Sequence, residues 1–202
     1  QNKIKLNKTL ISKKSLPYII AEIGVNHEGS LSNAYDLIKM AKKGGANAVK
    51  FQTYKADKIA AKKSPYYWDI KSEPTKSQYA LFKKYDLFEK EDYYKLAKFC
   101  KKINIDFIST PFDTEAVDLL DPIVPFFKIS SSDITNIPLL KKIADKNKTI
   151  ILSTGASNLK EIQFAVENIN KFNPKVKIVL LHCILNYPTK NKNANLQAIS
   201  LL

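Results

Sequence analysis

The sequence predicts an α/β fold, a TIM-type (β/α)8 barrel that is truncated here after about six βα units. Short runs rich in β-branched residues alternate along the chain with amphipathic helical segments, which is typical of parallel strands covered by helices. Polar residues also stand at or just past the carboxyl end of each run. An open doubly wound sheet is the alternative, but only a barrel brings every strand end to one mouth.

Length is the third observation. The chain has 202 residues, whereas a complete barrel of eight units takes about 250. We therefore expect about two barrel units to be missing, with residues 1–16 as an N-terminal extension or hairpin and residues 17–202 as the incomplete barrel domain.

The first two runs are residues 18–22 and 48–52. A helix is expected between them, from about Ser32 to the Gly44-Gly45 pair, because glycine commonly follows the last turn of a helix. A polar and aromatic excursion, residues 53–75, follows the second run. Since a connection of that length inside a compact domain is usually functional, we expect it to help choose a substrate.

Helical sequence resumes at about Ser77, is broken near Leu87 and continues over residues 90–103. The four remaining runs are residues 106–109, 126–130, 149–152 and 176–181.

Helix starts between these runs carry their own signals. Asp113 and Asn136 are expected as N-caps, and Pro138 falls in a first turn, where its missing N–H costs nothing. Asn158, with Glu161 three residues on, has the spacing of a capping box.

Charge and composition narrow the possible partners. The chain is 45% hydrophobic with a net charge of +14, which excludes fibrous and collagen-like classes. Every basic residue is a lysine, spread from Lys3 to Lys192. Because base readout relies on arginine, we expect no nucleic-acid partner, although a basic binding module for acidic polymers stays an alternative.

The cysteine count and the hydropathy bear on location. Two cysteines are too few for a disulfide framework. No apolar stretch is long enough for a signal peptide or a membrane span. We expect a cytoplasmic protein with no membrane partner.

Lysines and hydroxyls at the strand ends suggest an anion site. Lys50 and Lys128 stand where a buried ammonium is costly unless it meets an anion. Thr110, Ser131 and Ser153 would add hydroxyl donors. Together they predict a cradle for a small, doubly charged molecule such as a phosphorylated carboxylate.

Two carboxylates complete the candidate chemistry. Glu22 ends the first run and Asp133 follows the fourth, so either could act as a general acid or base. The spacing of His27, His182 and Cys183 supports neither a zinc site nor a Cys/His nucleophile, and we expect the cysteines to be structural.

Several segments, in this order, resemble the sialic acid synthase family, which includes N-acetylneuraminate, legionaminate and pseudaminate synthases. The resemblance runs from about Pro17 to Leu202. Its motifs are Ile20-Ala21-Glu22-Ile23-Gly24-Val25-Asn26-His27-Glu28-Gly29-Ser30, Val49-Lys50-Phe51-Gln52-Thr53, Ser109-Thr110-Pro111-Phe112, Phe127-Lys128-Ile129-Ser130-Ser131-Ser132-Asp133, Leu152-Ser153-Thr154-Gly155, and Leu181-His182-Cys183 with Tyr187-Pro188-Thr189.

The resemblance implies a TIM-barrel enzyme that condenses phosphoenolpyruvate with N-acetylmannosamine or a related N-acetylated amino sugar and releases phosphate. By motif, Glu22, Gln52 and Asp133 would face the metal, the reacting water and the sugar. The residues that would hold phosphoenolpyruvate are Lys50, Thr110, Lys128, Ser131, Ser153 and Tyr187.

The same resemblance implies parts that this chain lacks. The family uses a divalent metal, Mn²⁺ or Mg²⁺, and its histidine ligands would lie beyond residue 202, so we expect no metal ligand in this chain. The small C-terminal antifreeze-like domain is also absent. We expect the longer protein to be a homodimer and the isolated chain to be inactive.

A Schiff-base barrel aldolase that uses Lys128 is an alternative to the synthase function.

Overall fold

The computed structural model describes residues 3–202, which form two compact units. Unit I is Tyr18–Val124, and unit II comprises the residues up to Pro17 together with Pro125–Leu202. Gln1 and Asn2, part of the predicted N-terminal extension, lie outside the described residues. The elements in chain order are β1 (Ile4–Leu6), β2 (Thr9–Ile11), β3 (Ile20–Gly24), α1 (Leu31–Lys43), β4 (Ala48–Thr53), α2 (Ala56–Ile59), α3 (Gln78–Tyr85), α4 (Lys90–Lys102), β5 (Asp106–Pro111), α5 (Thr114–Leu120), β6 (Phe127–Ile129), α6 (Ile137–Ala144), β7 (Ile150–Ser153), α7 (Leu159–Phe172) and β8 (Ile178–Leu181).

Unit I is built on a parallel sheet of order β3-β4-β5. Along β4, Val49 and Phe51 are fully buried while Lys50 and Gln52 are only half-buried, because successive side chains point to opposite faces. Helix α1 packs against α4, and Leu96 of α4 is fully buried. The alternation therefore puts Lys50 and Gln52 on the face opposite this apolar core.

Unit II contains a second parallel sheet, of order β6-β7-β8, and the antiparallel hairpin β1-β2. Every residue of β6 and β7 is buried, whereas β8 is half-buried along its whole length. Helices α6 and α7 pack on each other, burying Leu140, Ile143 and Ile169. Two 3-10 turns, Asn191–Asn193 and Leu196–Ser200, follow β8.

The predicted helix caps are confirmed. Asp113 accepts the backbone N–H groups of Glu115 and Ala116, both at 2.8 Å. Asn136 caps α6, with Pro138 in the first turn, and Asn158 forms a reciprocal capping box with Glu161. Each cap satisfies backbone donors that the first turn leaves without a helical partner.

The α/β class with parallel sheets is confirmed. The described residues pair as two three-stranded parallel sheets, so the (β/α)8 barrel, its truncation and the domain division at residues 16 and 17 stay predictions. The first strand begins at Ile20, two residues later than expected, and runs on to Gly24. Residues 53–75 include the one-turn helix α2, which the sequence analysis did not predict.

Every helix in the described part of the chain is too short or too polar to cross a membrane.

Candidate active site

Lys50, in the middle of β4, is the centre of a polar cluster on the unit I strands. Its ammonium Nζ lies 2.6 Å from Oε2 of Glu22 on β3, its register partner. The same ammonium donates to Oγ1 of Thr110 on β5, at 3.3 Å. The Lys50 side chain is 13% exposed and the Glu22 side chain 50%, so the pair lies open to a ligand on the carboxylate side.

Gly24 brings Glu22 and Gln52 close together. The strand bulges between Glu22 and Gly24, and Gly24 has a φ of +56°. A Cβ at Gly24 would lie 3.3 Å from Oε1 of Glu22 and 3.7 Å from Nε2 of Gln52. The backbone at Gln52 is held by α4, since the hydroxyl of buried Tyr93 donates to the carbonyl oxygen of Gln52 at 3.0 Å. Glycine at this bulge therefore leaves room for the carboxylate and the amide.

A second cluster lies at the carboxyl ends of the unit II strands. Lys128 on β6 is 7% exposed, and its ammonium donates to Oγ of Ser153 on β7 at 2.6 Å. It also donates to the carbonyl oxygen of Ile129 at 2.8 Å. These two contacts hold a buried lysine side chain at the strand end in one position.

The turn after β6 adds Ser131 and Asp133 to unit II. Oγ of Ser131 accepts the backbone N–H of Gly155 at 2.9 Å, which ties this turn to the turn after β7. Burial raises the pKa of Asp133, and hydrogen bonds from Asn136 and Ser132 offset part of that shift. A carboxyl group with a raised pKa is better suited to proton transfer near neutral pH.

The hydroxyl groups of both clusters are arranged as donors. Thr110 and Ser153 each accept from a lysine ammonium, and Ser131 accepts from a backbone N–H. A hydroxyl oxygen that is accepting directs its own hydrogen elsewhere, so that hydrogen can be donated to a ligand. Each cluster, taken by itself, therefore combines ammonium and hydroxyl donors that are suited to an anionic ligand.

Of the predicted site residues, Tyr187 stands apart. Its side chain is 91% exposed, next to the cis peptide bond that precedes Pro188. The structure thus links Glu22, Lys50, Gln52 and Thr110 in unit I, and Lys128 and Ser153 in unit II, with Ser131 and Asp133 in the adjacent turn.

The two histidines and the two cysteines have different surroundings in the structure. His27 is buried against Phe88, and Nε2 of His182 lies 2.7 Å from the carbonyl oxygen of Ala194. Cys100 is buried, which raises its pKa to about 12, and Cys183 is partly buried. Across residues 3–202 no three His, Cys, Asp or Glu side chains come together as metal ligands. The described residues therefore do not fit a complete metal site.

Two supporting residues were missed by the sequence analysis. Gly155 supplies the N–H that holds Ser131, and a Cβ there would lie 3.0–3.1 Å from atoms of Cys183. Tyr93 supports Gln52 from α4. The Ser153-Thr154-Gly155 motif was a signal for Gly155, whereas nothing in the sequence pairs Tyr93 with β4.

Parallel strands that carry lysine and hydroxyl donors toward their carboxyl ends define an α/β protein whose side chains are suited to binding an anion. The chain belongs to the NeuB family, whose model matches residues 37–202. This confirms the sialic acid synthase resemblance.

Two curated relatives are named as synthases of nonulosonic acids. The chain is 46% identical over 195 residues to N,N'-diacetyllegionaminic acid synthase of Campylobacter jejuni, covering 94% of this chain and 57% of the relative. It is 38% identical over 189 residues to N-acetylneuraminate-9-phosphate synthase of Drosophila melanogaster, covering 92% and 50%. The chain thus spans about half the length of these relatives.

Solved structures agree on the fold. The N-acetylneuraminic acid synthetase of Leptospira borgpetersenii superposes with a TM-score of 0.84 at 34% identity, covering 99% of this chain and 65% of that one. A truncated 3-deoxy-D-arabino-heptulosonate 7-phosphate synthase of Thermotoga maritima gives a TM-score of 0.68 at 15% identity, with coverages of 99% and 64%, which shows a shared fold alone.

Proposed function

We propose that this chain belongs to a nonulosonate synthase that condenses phosphoenolpyruvate with N-acetylmannosamine or a related N-acetylated amino sugar and releases phosphate. The observation that carries the proposal is the buried ammonium of Lys128 held 2.6 Å from the Ser153 hydroxyl at neighbouring strand ends. That pair presents donors to a small anion, and membership of the NeuB family supports phosphoenolpyruvate as that anion.

The donor groups account for binding. Phosphoenolpyruvate carries a carboxylate and a phosphate, and each needs charged and neutral hydrogen-bond donors. Lys50 with Thr110 in unit I, and Lys128 with Ser153 and Ser131 in unit II, are such donor sets. Charge-assisted hydrogen bonds of this kind are about twice as strong as neutral ones.

The carboxylates and the amide account for the chemistry. In the proposed reaction C3 of phosphoenolpyruvate attacks the open-chain aldehyde, water adds at C2, and phosphate leaves by C–O cleavage. We assign acceptance of the incoming water's proton to Glu22, proton delivery to the former aldehyde oxygen to Asp133, and hydrogen bonding to the sugar to Gln52. Burial raises the pKa of Asp133, which favours its protonated form as a donor.

The longer protein would add what these residues lack. A divalent metal, Mn²⁺ or Mg²⁺, would polarise the aldehyde as a Lewis acid when bound. Since residues 3–202 bring no complete ligand set together, no step above depends on it. A homodimeric assembly of the longer protein is part of the same proposal.

The test is phosphate release by the longer protein with Mn²⁺, phosphoenolpyruvate and a series of mono- and di-N-acetylated amino sugars. We expect release only when phosphoenolpyruvate and one sugar class are both present. No release with any sugar would refute the proposal. Borohydride trapping with pyruvate separates the aldolase alternative, because an imine on Lys128 would be trapped and the proposed reaction forms none.

A further inference from the structure

Asp86 is a buried carboxylate that the site described above does not use. It directly follows α3, and its side chain is 1% exposed. A buried carboxylate is costly unless it is paired and hydrogen-bonded, so its partners indicate what the fold uses it for.

The partners of Asp86 come from both ends of one long segment. Its Oδ2 accepts the backbone N–H of Ala56, the first residue of α2, at 3.0 Å. Its Oδ1 lies 3.1 Å from Nζ of Lys55, and Oδ2 lies 3.7 Å from Nζ of Lys83 on α3. Asp86 therefore joins the point where the chain leaves β4 to the point where α3 ends.

Lys55 extends this junction to the start of α4. Its ammonium also lies 2.8 Å from Oε1 of Glu89, at the start of α4. Burial lowers the pKa of Lys55, but hydrogen bonds to Glu89 and Asp86 outweigh that effect and raise it. Lys55 thus stays charged and bridges two carboxylates.

The segment 56–77 lies between these two joined points and continues directly from the candidate site. It starts four residues after Gln52. Gln52 lies on β4, the strand that also carries Lys50. Tyr54 ties the same strand end to α3, because its hydroxyl donates to the carbonyl oxygen of Phe82 at 3.3 Å. Loops at the carboxyl ends of parallel strands border the ligand site, so the position of this segment bears on what the site accepts.

We propose that Asp86 is a positioning residue that fixes the segment 56–77 at the carboxyl end of β4, and that this fixed segment sets the affinity for the amino sugar. The second part rests on the proposed function. Loss of the Asp86 carboxylate frees the N–H of Ala56 and leaves Lys55 and Lys83 without a shared partner. The segment then moves, while the lysine and hydroxyl clusters keep their contacts.

Trp68, the only tryptophan in the sequence, reports on the segment directly. Its indole N–H donates to the carbonyl oxygens of Glu73 and Thr75, both at 3.0 Å. We would measure acrylamide quenching of its fluorescence in this chain, for Asp86→Ala and for the milder Asp86→Asn. Matched controls are Asp36→Ala and Asp36→Asn, which break an exposed ion pair with Lys39 on α1.

The expected result is stronger quenching in the Asp86 variants and unchanged quenching in the Asp36 controls, with circular dichroism showing that each variant is folded. Equal quenching in all folded variants, or the same increase in the Asp36 controls, would overturn the proposal. If Asp86→Ala does not fold, Asp86→Asn decides, since an amide oxygen can still accept the N–H of Ala56 while the ion pairs are lost.

Kinetics of the longer protein test the second part. We expect Asp86→Asn to raise the KM for the amino sugar about tenfold, with the KM for phosphoenolpyruvate unchanged, because small misplacements of substrate-positioning groups cost this much or more. An equal rise for both substrates, or none for the sugar, would refute the link to the sugar. Absence of activity in the wild type would refute the proposed function instead and leave the Trp68 result to stand alone.

Discussion

At the scale of single residues, the proposed function depends most directly on the charge of Lys128. We expect Lys128→Met in the longer protein to weaken phosphoenolpyruvate binding about ten- to a hundredfold, since a hydrogen bond to a charged group contributes about 1.5–3 kcal/mol. Isothermal titration calorimetry at low salt measures this affinity for phosphoenolpyruvate. Lys171→Met, which removes an exposed lysine of α7, is the matched control. Equal affinity of the Lys128 variant and the wild type would contradict the assignment.

The buried imidazole of His27 makes stability depend on pH. His27 is 3% exposed, stacks on Phe88 with ring centroids 4.0 Å apart, and accepts the N–H of Gly29 at Nδ1. Burial lowers its pKa to about 4 from 6.5. The unfolded chain therefore binds a proton near pH 6.5 that the folded chain rejects, and stability falls as pH drops from about 6.5 to about 4. The free energy of unfolding, measured with urea, should fall by about 2–3 kcal/mol over this pH range because of His27.

The control for this pH effect is a second histidine. His27→Gln should remove the loss, and His182→Gln should retain it, because that variant leaves the buried imidazole of His27 in place. The comparison must be between variants, since the raised pKa of Asp133 adds an opposite slope, stabilising the fold as pH falls. A wild type and a His27→Gln variant with the same pH dependence would show that the imidazole does not carry it.

Single residues also show where prediction from sequence stops. Lys50 and Glu22 were predicted as site residues because each lies at or near the end of a predicted run, and the register of β3 with β4 places them opposite each other. Tyr187 was chosen by motif alone and is almost fully exposed in this chain. The anchor role of Asp86 was not predicted, because its contacts with Lys55 and Ala56 span about thirty residues, and sequence spacing does not encode such contacts.

At the scale of elements, the capping box of α7 gives a quantitative expectation. Asn158 accepts the N–H groups of Lys160 and Glu161, and Glu161 accepts the N–H of Asn158 in return. Asn158→Ala should lower the free energy of unfolding by about 1 kcal/mol. Asn170→Ala, at an exposed position inside the same helix, should be neutral or slightly stabilising because alanine is the better helix former. Chemical denaturation of both variants checks this, and equal effects would contradict it.

Helices were predicted well because their signals are local. Caps such as Asp113 and stops such as Gly44 lie within a few residues of the boundary they set. The helix α2 was missed, since four residues give no periodicity, and it starts where the tertiary contact from Asp86 holds Ala56. Strand bounds differed by up to two residues, because register with a neighbour, and not composition, decides where a strand ends.

At the scale of the whole molecule, we expect the edge of β8 and the net charge of the chain to control self-association together. Within residues 3–202 β8 pairs with β7 on one side and with no strand on the other, and it is half-buried where β7 is buried. Such an edge pairs readily with another chain, whereas a charge of +14 keeps copies apart at low salt. We expect association that grows with protein concentration and with salt, measured by sedimentation velocity. Val179→Lys, which puts a charge on this edge, should suppress it, and Ile199→Lys, outside the strand, should not. A monomer at every salt concentration, or equal suppression by both variants, would show that the β8 edge is not the contact.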